Sequence, residues 1–317
     1  MIKKLFKLGL ISATIGFTLG LALSFLNAMH PAFDTLANFR YHFAIATLML
    51  STLWLFNRQY QIALTTALVA IFALNSVLSG LPIQQYLPRT KPTIITDERV
   101  YSLIAFNIKF NNEDRSRVVD MVLREDPDIF MALEFSHLWS DQLYRLKQSY
   151  KHVYNCTEWK HIGGSYIFSK FPFIQNQEYC HDYAALGTKQ VQLDNVKITI
   201  GIVHLRWPWP ASQPKQIEAL KPYLNTLEEN ALIIGDFNAA TWTHAIRSFA
   251  KAGNLRVINN IGMTWLHEML PISLSKWIGL PIDNAMTKGK VNVISAKSLA
   301  PEGSDHLPLK IEFIIRK

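Results

Sequence analysis

Cysteine is scarce in this chain, which has only two, Cys156 and Cys180, among 317 residues. Neither lies in the Cys-x-x-Cys spacing of a metal site or next to an obvious catalytic partner, so we assign them no role in chemistry. Two states of the pair remain open from the sequence. Free thiols are expected in the cytosol, whereas a disulfide is compatible with an oxidising compartment.

Acidic residues are almost absent from the first 90 residues, where Asp34 is the only one against six basic residues. The remainder has 26 basic and 23 acidic residues, so it carries only +3 of the formal net charge of +8. Because most of the excess belongs to the apolar N-terminal segment, the high isoelectric point is not evidence for a nucleic-acid-binding surface. The apolar runs contain no acid, which argues against a transporter or an ion pathway.

Long apolar runs fill this N-terminal segment. No formally charged residue occurs between Lys7 and Asp34, a run long enough to cross about 30 Å of hydrocarbon. A second run, Tyr41 to Asn57, is near the lower length limit, and a third covers roughly Ile62 to Leu81. A cleaved signal peptide is the alternative for the first run, but its apolar stretch is too long and two more runs follow. The sequence predicts a membrane anchor of about three transmembrane helices at residues 1–81.

The orientation of this anchor depends on the basic residues before the first run. Lys3, Lys4 and Lys7 place the N-terminus in the cytoplasm by the positive-inside rule. Three spans then deliver the rest of the chain to the extracytoplasmic face of a cell (inner) membrane. Counted together with these three lysines, the basic residues near the runs are evenly divided, with four on each side, so the first helix decides the prediction.

A polar, proline-bearing linker at residues 82–98 separates the anchor from a domain at residues 99–317. Here short segments typical of strands alternate with a few helical patterns, such as the one within residues 114–126. The pattern predicts a mixed, layered α/β domain of about 220 residues, a normal size for one domain.

Polar residues follow successive predicted strands, where a scaffold usually displays its chemistry. They are Asn107, Glu134, His204, Asp236, Asn238, Asp283 and the pair Asp305–His306. Any one of them alone is more readily a turn former or a helix cap. Together they suit metal-assisted phosphoester hydrolysis, because Mg²⁺ prefers carboxylate oxygen, a histidine oriented by an aspartate activates water, and neutral donors stabilise phosphoryl oxygens.

The order of these motifs resembles the endonuclease/exonuclease/phosphatase (DNase I-like) superfamily, and within it bacterial membrane-anchored members. The resemblance covers residues from about 100 to 317 and rests mainly on "PDIFMALEF" at 127–135, "GDFNA" at 235–239, "PIDNA" at 281–285 and "SDH" at 304–306. It implies a two-sheet α/β sandwich flanked by helices and preceded by the N-terminal transmembrane bundle. It also implies a Mg²⁺-dependent hydrolase acting on phosphoester bonds, with Mn²⁺ as a second candidate metal.

The resemblance implies a role for each matched residue. The metal ligands are Glu134, Asp305 and Asn107, and the catalytic residues are His306, Asp283, Asp236, Asn238 and His204. Asn238 and His204 also bind substrate, and Arg206 on the following loop is a further candidate for phosphate binding. The chain departs from the family at Asn284, where a histidine or an aromatic residue normally follows the aspartate.

The substrate class stays open between nucleic acid and a lipid or head-group phosphate. The near-balanced charge of the domain argues against an extended basic groove, and tethering at a bilayer suits a lipid-linked phosphate. The alternative to an enzyme is a catalytically degenerate, membrane-tethered scaffold or binding module. The intact set of acids, asparagines and histidines disfavours that alternative.

Overall fold

The computed structural model describes residues 1–81, 98–156, 162–181, 185–267 and 269–316. The linker expected at residues 82–98 falls almost wholly outside these residues. Within them, helices occupy the first 81 residues and a two-sheet sandwich begins at Tyr101.

The apolar runs form helices that pack against one another. The N-terminal helices are α1 (Ile2–Phe25), α2 (Pro31–Asn38), α3 (Arg40–Phe56) and α4 (Tyr60–Val77). Helix α2, which the sequence did not predict, connects α1 to α3. It begins with Pro31 after His30, whose Nδ1 accepts a hydrogen bond from the amide of Ala32, a favourable start for a helix.

Two of these helices are long and apolar enough to cross a membrane, the segments Ile2–Ser24 and Tyr60–Val77. Only 17% and 28% of their most apolar stretches are buried, unlike the core helix of a soluble protein. Helix α3 has 17 residues, which corresponds to about 25 Å and is shorter than the roughly 30 Å of a hydrocarbon core. The expectation of three spans therefore stays a prediction.

Two mixed sheets form the centre of the domain that begins at Tyr101, as the sequence predicted. The strands are β1 (Tyr101–Asn107), β2 (Ile129–Phe135), β3 (His152–Cys156), β4 (Gly164–Ser169), β5 (Phe173–Cys180), β6 (Leu186–Leu193), β7 (Val196–His204), β8 (Ala231–Asp236), β9 (Arg256–Val257), β10 (Asp283–Lys288), β11 (Val291–Ser298) and β12 (Leu309–Ile315). The first sheet has the order β11-β12-β1-β2-β4-β3, and the second has the order β5-β6-β7-β8-β10-β9.

Helices cover the outer faces of the two sheets. They are α5 (Arg115–Glu125), α6 (Ser140–Ser149), α7 (Gln213–Asn225) and α8 (His244–Gly253), whereas the short helix α9 (Ile272–Ile278) precedes β10 and has only Ser275 buried. Helices α5 and α6 pack on the first sheet, and α7 and α8 pack on the second. Between the sheets, side chains such as Leu103, Met131 and Ile200 are fully buried. The alternation of strand residues between two faces thus yields a sandwich with one inner core and two outer layers.

The polar ends of the strands meet at one edge of the sandwich. β1 and β2 are parallel, as are β7 and β8, so their carboxyl ends lie on the same side. In the second pair, His204 is opposite Asp236. The sequence placed Asp283 after a strand, but Asp283 opens β10, which runs antiparallel to β8 and begins opposite Asp236. The first residue of β10 therefore reaches the same edge.

Cys156 and Cys180 form a disulfide. Cys156 ends β3 at the margin of the first sheet, and Cys180 ends β5 at the margin of the second, so the bond joins the two sheets. Gly187 pairs with Cys180, and a Cβ on it would lie only 2.8 Å from the Cβ of Cys156. The absence of a side chain at Gly187 makes room for the bond. Of the two states that the sequence left open, the structure has the disulfide.

Candidate active site

Glu134 lies near the end of β2 with a positive φ of 60°, a backbone conformation that glutamate rarely adopts. Its Oε1 accepts a hydrogen bond from Asn107 Nδ2 at 3.1 Å, and its Oε2 accepts one from the amide of Phe110 at 3.1 Å. These contacts hold both carboxylate oxygens in place and maintain the strained backbone. The side chain is 18% exposed, so the carboxylate is accessible from the mouth of the site.

Asn107 and His204 connect Glu134 to Asp236 across the two sheets. Asn107 Nδ2 also donates to Asp236 Oδ2 at 3.3 Å. His204 Nε2 lies 3.8 Å from Glu134 Oε1 and 3.8 Å from Asp236 Oδ2. Because Asn107 and Glu134 belong to the first sheet and the other two residues to the second, the cluster spans the gap between the sheets.

His306 lies between two buried carboxylates. Its Nδ1 is 2.8 Å from Asp283 Oδ2, and its Nε2 is 3.6 Å from Asp236 Oδ2. His306 comes from the loop before β12 of the first sheet, whereas Asp283 and Asp236 belong to the second. The pairing therefore closes the edge of the sandwich from both sides.

The pKa values of this group are shifted by burial and by charge. Burial raises the pKa of Asp236 to about 6, against the opposing effect of the His306 charge. Burial also acts to lower the pKa of His306, but the negative charges of Asp283 and Asp236 outweigh it and raise that pKa to about 10. The two carboxylates thus favour the charged form of His306, in which Nδ1 donates to Asp283.

The Gly-Asp-Phe-Asn motif forms a tight turn at the end of β8. Asp236 Oδ1 accepts a hydrogen bond from the amide of Asn238 at 2.8 Å, and Asn238 has a φ of +48°, which asparagine tolerates well. Asn238 Nδ2 donates to the carbonyl of Leu205 at 2.8 Å. A Cβ on Gly235 would lie 2.2 Å from the carbonyl oxygen of Val203, so only glycine fits there. The turn therefore places the side chains of Asp236 and Asn238 next to each other at the end of β8.

Asp305 is held beside the cluster by two neighbours. Its Oδ2 accepts a hydrogen bond from Trp265 Nε1 at 3.1 Å, and its Oδ1 lies 3.4 Å from Ser304 Oγ. Ser304 also donates to the carbonyl of Asn107 at 2.7 Å, which ties this loop to β1. Trp265 is 40 residues from Asp305, and no local pattern in the sequence linked the two.

Arg206 and Asn284 have partners on the loops around the cluster. The exposed guanidinium of Arg206 donates to Ser212 Oγ at 2.9 Å, which holds it along the loop after β7, at the rim of the site. Asn284 is buried and donates to the carbonyl of Ala239 at 2.7 Å. The departure from the family at Asn284 thus supports the turn that carries Asn238.

The N-terminal helices contact the segment that follows Asn238. Asp34 in α2 accepts hydrogen bonds from the amides of His244 at 2.7 Å and Ala245 at 2.9 Å, at the start of α8. Trp242 donates from Nε1 to the carbonyl of Ala37 at 2.6 Å and packs with Val77. Sequence reasoning missed these residues, because 205 positions separate Ala37 from Trp242.

The donor set of the cluster fits a divalent cation. Glu134, Asp236, Asp283 and Asp305 bring four carboxylates to one edge, where the charge of His306 offsets only part of their mutual repulsion and a bound cation would offset more. Glu134 and Asn107 offer the oxygen donors that hard cations prefer. Asp236, Asp283 and His306 also place one potential ligand atom each within 4.8 Å of the others. Because His306 Nδ1 already bonds Asp283 at 2.8 Å and hard cations prefer oxygen donors, the first group is the better cation site.

The fold and the site define a class of phosphoester hydrolase, and the sequence of the chain matches a family of that class. The model of the Endonuclease/Exonuclease/phosphatase family matches residues 104–306. The chain belongs to this family, whose members are metal-dependent phosphoesterases of the nuclease and phosphatase type. No match was found among curated protein sequences.

Several solved structures share the fold at low sequence identity. D. rerio TDP2 complexed with single-strand DNA product has a TM-score of 0.54 and 16% identity, with 68% of this chain and 99% of that chain covered. An endonuclease/exonuclease/phosphatase from Beutenbergia cavernae has a TM-score of 0.54 and 14% identity, with 68% and 72% covered. A mutant beta toxin from Staphylococcus aureus with bound magnesium ions has a TM-score of 0.53 and 13% identity, with 69% and 100% covered. These similarities concern the fold alone.

Proposed function

We propose that this protein is a membrane-anchored, divalent-metal-dependent phosphoesterase. The observation that carries the proposal is the juxtaposition at one edge of the sandwich of an acidic cluster around Glu134 and a buried Asp283–His306 pair. The Glu134 and Asp236 oxygens converge on Asn107 and on His204 Nε2, at 3.1–3.3 Å and 3.8 Å respectively. Such an arrangement can bind a cation, a phosphoryl group and an attacking water together.

Each residue has a role that follows from its contacts. Asp236 is an acceptor for the proton of an attacking water, because burial raises its pKa to about 6. His306 carries positive charge toward the phosphoryl oxygens, and Asp283 holds the His306 ring in orientation through Nδ1. Asn238 and His204 donate to the phosphate, and Arg206 at the rim provides an approaching phosphate with a further positive charge.

Mg²⁺ is the cation we propose, with Mn²⁺ as a substitute. Glu134 is its principal ligand, with Asn107 and Asp305 contributing directly or through water. When bound, the cation supplies charge neutralisation at the phosphoryl oxygens. A solved structure of similar fold, the Staphylococcus aureus beta toxin, contains bound magnesium ions.

Residues 1–81 serve as the membrane anchor, and residues 99–317 form the catalytic domain. The large exposed apolar surface of α1 and α4 supports this division, because such helices need an apolar environment outside the protein. The disulfide supports an extracytoplasmic domain, since thiols remain reduced in the cytosol. A cell (inner) membrane location with several spans is consistent with both features.

The second candidate, a degenerate scaffold, requires that the site be incomplete. The described residues argue against it, because every residue type needed for hydrolysis is present and the acid–histidine pair is within hydrogen-bond distance at 2.8 Å. A scaffold without catalysis would also gain nothing from burying three ionisable groups together.

The test uses the full-length chain purified in detergent. Hydrolysis of bis(p-nitrophenyl) phosphate and of p-nitrophenyl phosphate is measured with Mg²⁺, with Mn²⁺ and with excess EDTA, beside the His306→Ala variant. We expect metal-dependent release of nitrophenolate from at least one ester, abolished by EDTA and strongly reduced in the variant. Equal release by the wild type and His306→Ala would indicate a contaminant and contradict the proposal, as would no release under any condition.

A further inference from the structure

A cavity of about 330 Å³ lies between the loop that carries Asp305 and helix α9. One part of its lining is apolar, formed by Leu266, Leu270 and Ile272, and another part carries the basic side chains of Lys109 and Arg117. Arg117 also bonds Glu302. Asp305 is one of the lining residues, so the cavity begins at the catalytic edge and extends toward α9. An apolar wall facing basic groups matches a ligand that has both an apolar and an anionic part.

The end of helix α9 contacts the first turn of α3. His42 Nε2 lies 2.7 Å from the carbonyl oxygen of Ile278, the last residue of α9. Arg40 begins α3 and hydrogen-bonds Ser24 and Ser76, which lie near the ends of α1 and α4. Arg40 therefore marks where the three apolar helices end. The His42 contact therefore places the end of α9 next to the first turn of α3, where the three apolar helices end.

Helix α9 and the residues just before it expose apolar side chains near the ends of the N-terminal helices. Trp277 is 60% exposed and Met269 is 85% exposed, and they are accompanied by Ile272, Leu274 and Ile278. Lys276 is also exposed, whereas Ser275 is buried. A second exposed tryptophan, Trp209, is tied to α2 through backbone hydrogen bonds with Thr35 Oγ1 at 3.0 and 3.1 Å. Tryptophan and lysine beside apolar residues are typical of segments that lie in the membrane interface.

We infer that α9 lies in the head-group region of the bilayer and that the cavity takes the apolar part of a lipid phosphoester. The lipid presents its phosphate to the catalytic edge from the membrane side. The inference rests on the proposed function and names its substrate class. In the reaction, a water oxygen forms a bond to phosphorus, the P–O bond to the lipid alcohol breaks, and the alcohol leaves with a proton.

The occupant that the structure favours is a lipid and not a nucleic acid, for a geometric reason. The catalytic edge is on the side of the sandwich that faces the N-terminal helices, since α2 contacts the turn after Asn238 and the loop of Trp209. A single-stranded nucleic acid would leave the wall of Leu266, Leu270 and Ile272 without an apolar partner. A lipid places its apolar part against that wall and its phosphate at the catalytic edge.

The experiment uses the full-length chain in phosphatidylcholine liposomes that contain either phosphatidic acid or phosphatidylglycerol. Turnover of these lipids is compared with turnover of a single-stranded DNA oligonucleotide and of soluble bis(p-nitrophenyl) phosphate. The variants Trp277→Glu and Leu274→Glu place a charge at exposed positions of α9 outside the cavity lining, where it opposes contact with the bilayer. Tyr144→Glu is the matched control, since Tyr144 is an exposed aromatic residue on α6, at the outer face of the first sheet.

We expect turnover of one of the lipids to exceed that of the oligonucleotide by about tenfold or more. The ratio of lipid turnover to soluble-diester turnover should fall about tenfold in both α9 variants and stay unchanged in Tyr144→Glu. If the soluble diester is hydrolysed but the oligonucleotide is cleaved faster than either lipid, the inference is wrong while the proposed function stands. An equal ratio in the α9 variants and the control would also overturn it. No hydrolysis of any ester would overturn both.

Discussion

Asn38, in the short helix between two apolar helices, hydrogen-bonds the turn that carries Asn238. Its Oδ1 accepts from the amide of Ala240 at 2.8 Å, and its Nδ2 donates to the carbonyl of Asn238 at 3.4 Å. The Asn38 side chain is fully buried at this junction. The N-terminal helices therefore do more than tether the sandwich, because they contribute a support for a residue of the candidate site.

We expect Asn38→Ala to lower kcat by about tenfold, with a smaller effect on KM. The substitution removes both hydrogen bonds and leaves the amide of Ala240 unsatisfied, at a cost of about 1–3 kcal/mol. The position of Asn238, which has a left-handed backbone, then becomes less defined. The measurement is steady-state hydrolysis of a soluble phosphodiester by the full-length chain, together with the thermal midpoint.

The control for this prediction is Asn57→Ala. Asn57 follows α3 at the other end of the bundle, and its Nδ2 donates to the carbonyl of Leu53 at 2.8 Å. Its removal should leave kcat unchanged. Equal kcat values for Asn38→Ala and the wild type would show that the turn holds Asn238 without help from α2.

Glu134→Gln should abolish the metal-dependent reaction and preserve the fold. Glutamine keeps the shape and one acceptor oxygen but loses the negative charge, so we expect a fall in kcat of about 100-fold or more. The loss of one acceptor for Asn107 or Phe110 should destabilise the protein by only about 1 kcal/mol. Activity and Mn²⁺ binding, the latter by electron paramagnetic resonance, are measured on the same preparation.

Glu218→Gln is the matched control for the loss of one carboxylate charge. Glu218 lies on the exposed face of α7 and pairs with Lys221 at 2.5 Å. Wild-type activity in Glu134→Gln would remove Glu134 from the metal site, and unchanged Mn²⁺ affinity would do the same.

The pair Asp283 and His306 should behave as one unit in a double-mutant cycle. Asp283→Asn and His306→Ala are each expected to impair kcat/KM severely, and the double variant should be little worse than either. The reason is that Asp283 acts through the His306 ring, at 2.8 Å. The cycle measures kcat/KM for the four proteins with one soluble ester.

A second cycle provides the additive reference for this pair. His306→Ala is combined with Asp120→Asn, which breaks an ion pair between Asp120 in α5 and Arg145 in α6. Losses in this cycle should simply add. If the losses from Asp283→Asn and His306→Ala add in the same way, the two residues act separately.

Much of the sandwich could be predicted from the sequence because local patterns define its strands. Alternation and apolar runs indicated β1, β2, β7 and β8, and the motif at residues 235–238 marked the turn after β8. Their parallel pairing then brings Asn107, Glu134, His204 and Asp236 to one edge. Periodicity and strand direction are properties that a single sequence carries.

The features that escaped prediction depend on contacts between distant segments. Asn38 and Ala240 are 202 residues apart, and Trp265 reaches Asp305 across 40 residues. Strand β10 was misplaced by a few residues, because its first residue is polar and its partner strand decides where it begins. The left-handed backbone of Glu134 is likewise imposed by its two hydrogen bonds and not by its own preference.

Removing the disulfide should lower stability without removing the site. Replacing both Cys156 and Cys180 by serine opens a loop closed over a sequence separation of 24 residues, and we expect a loss of about 3.5 kcal/mol in the free energy of unfolding. Denaturant unfolding of the wild type should shift to lower denaturant when a reducing agent is added. The double variant should show no such shift, and a shift of the same size there would indicate a different cause.

The last prediction is the topology of the chain. The sandwich sits at the carboxyl end of α1, where Asn27 bonds Arg247 at 2.9 Å. If α1 crosses the membrane, the N-terminus and the sandwich lie on opposite faces. Lys3, Lys4 and Lys7 are at the far end, and the positive-inside rule places them in the cytoplasm. Alkaline phosphatase fused after Lys317 should therefore be active, because that enzyme folds in an oxidising space.

The directions of the N-terminal helices are compatible with the same topology, although α3 has only 17 residues. The bond from Arg40 to Ser76 places the carboxyl end of α4 beside the start of α3, and Trp54 Nε1 donates to Thr14 Oγ1 near the other end of α3. Helices α1 and α4 thus run in the same direction, so if both cross the membrane, α3 returns the chain between them. Replacing Lys3, Lys4 and Lys7 by glutamine in the fusion should lower phosphatase activity, because the orienting charge is lost. An inactive fusion whose fluorescent-protein counterpart is bright would place the sandwich in the cytoplasm and overturn the prediction.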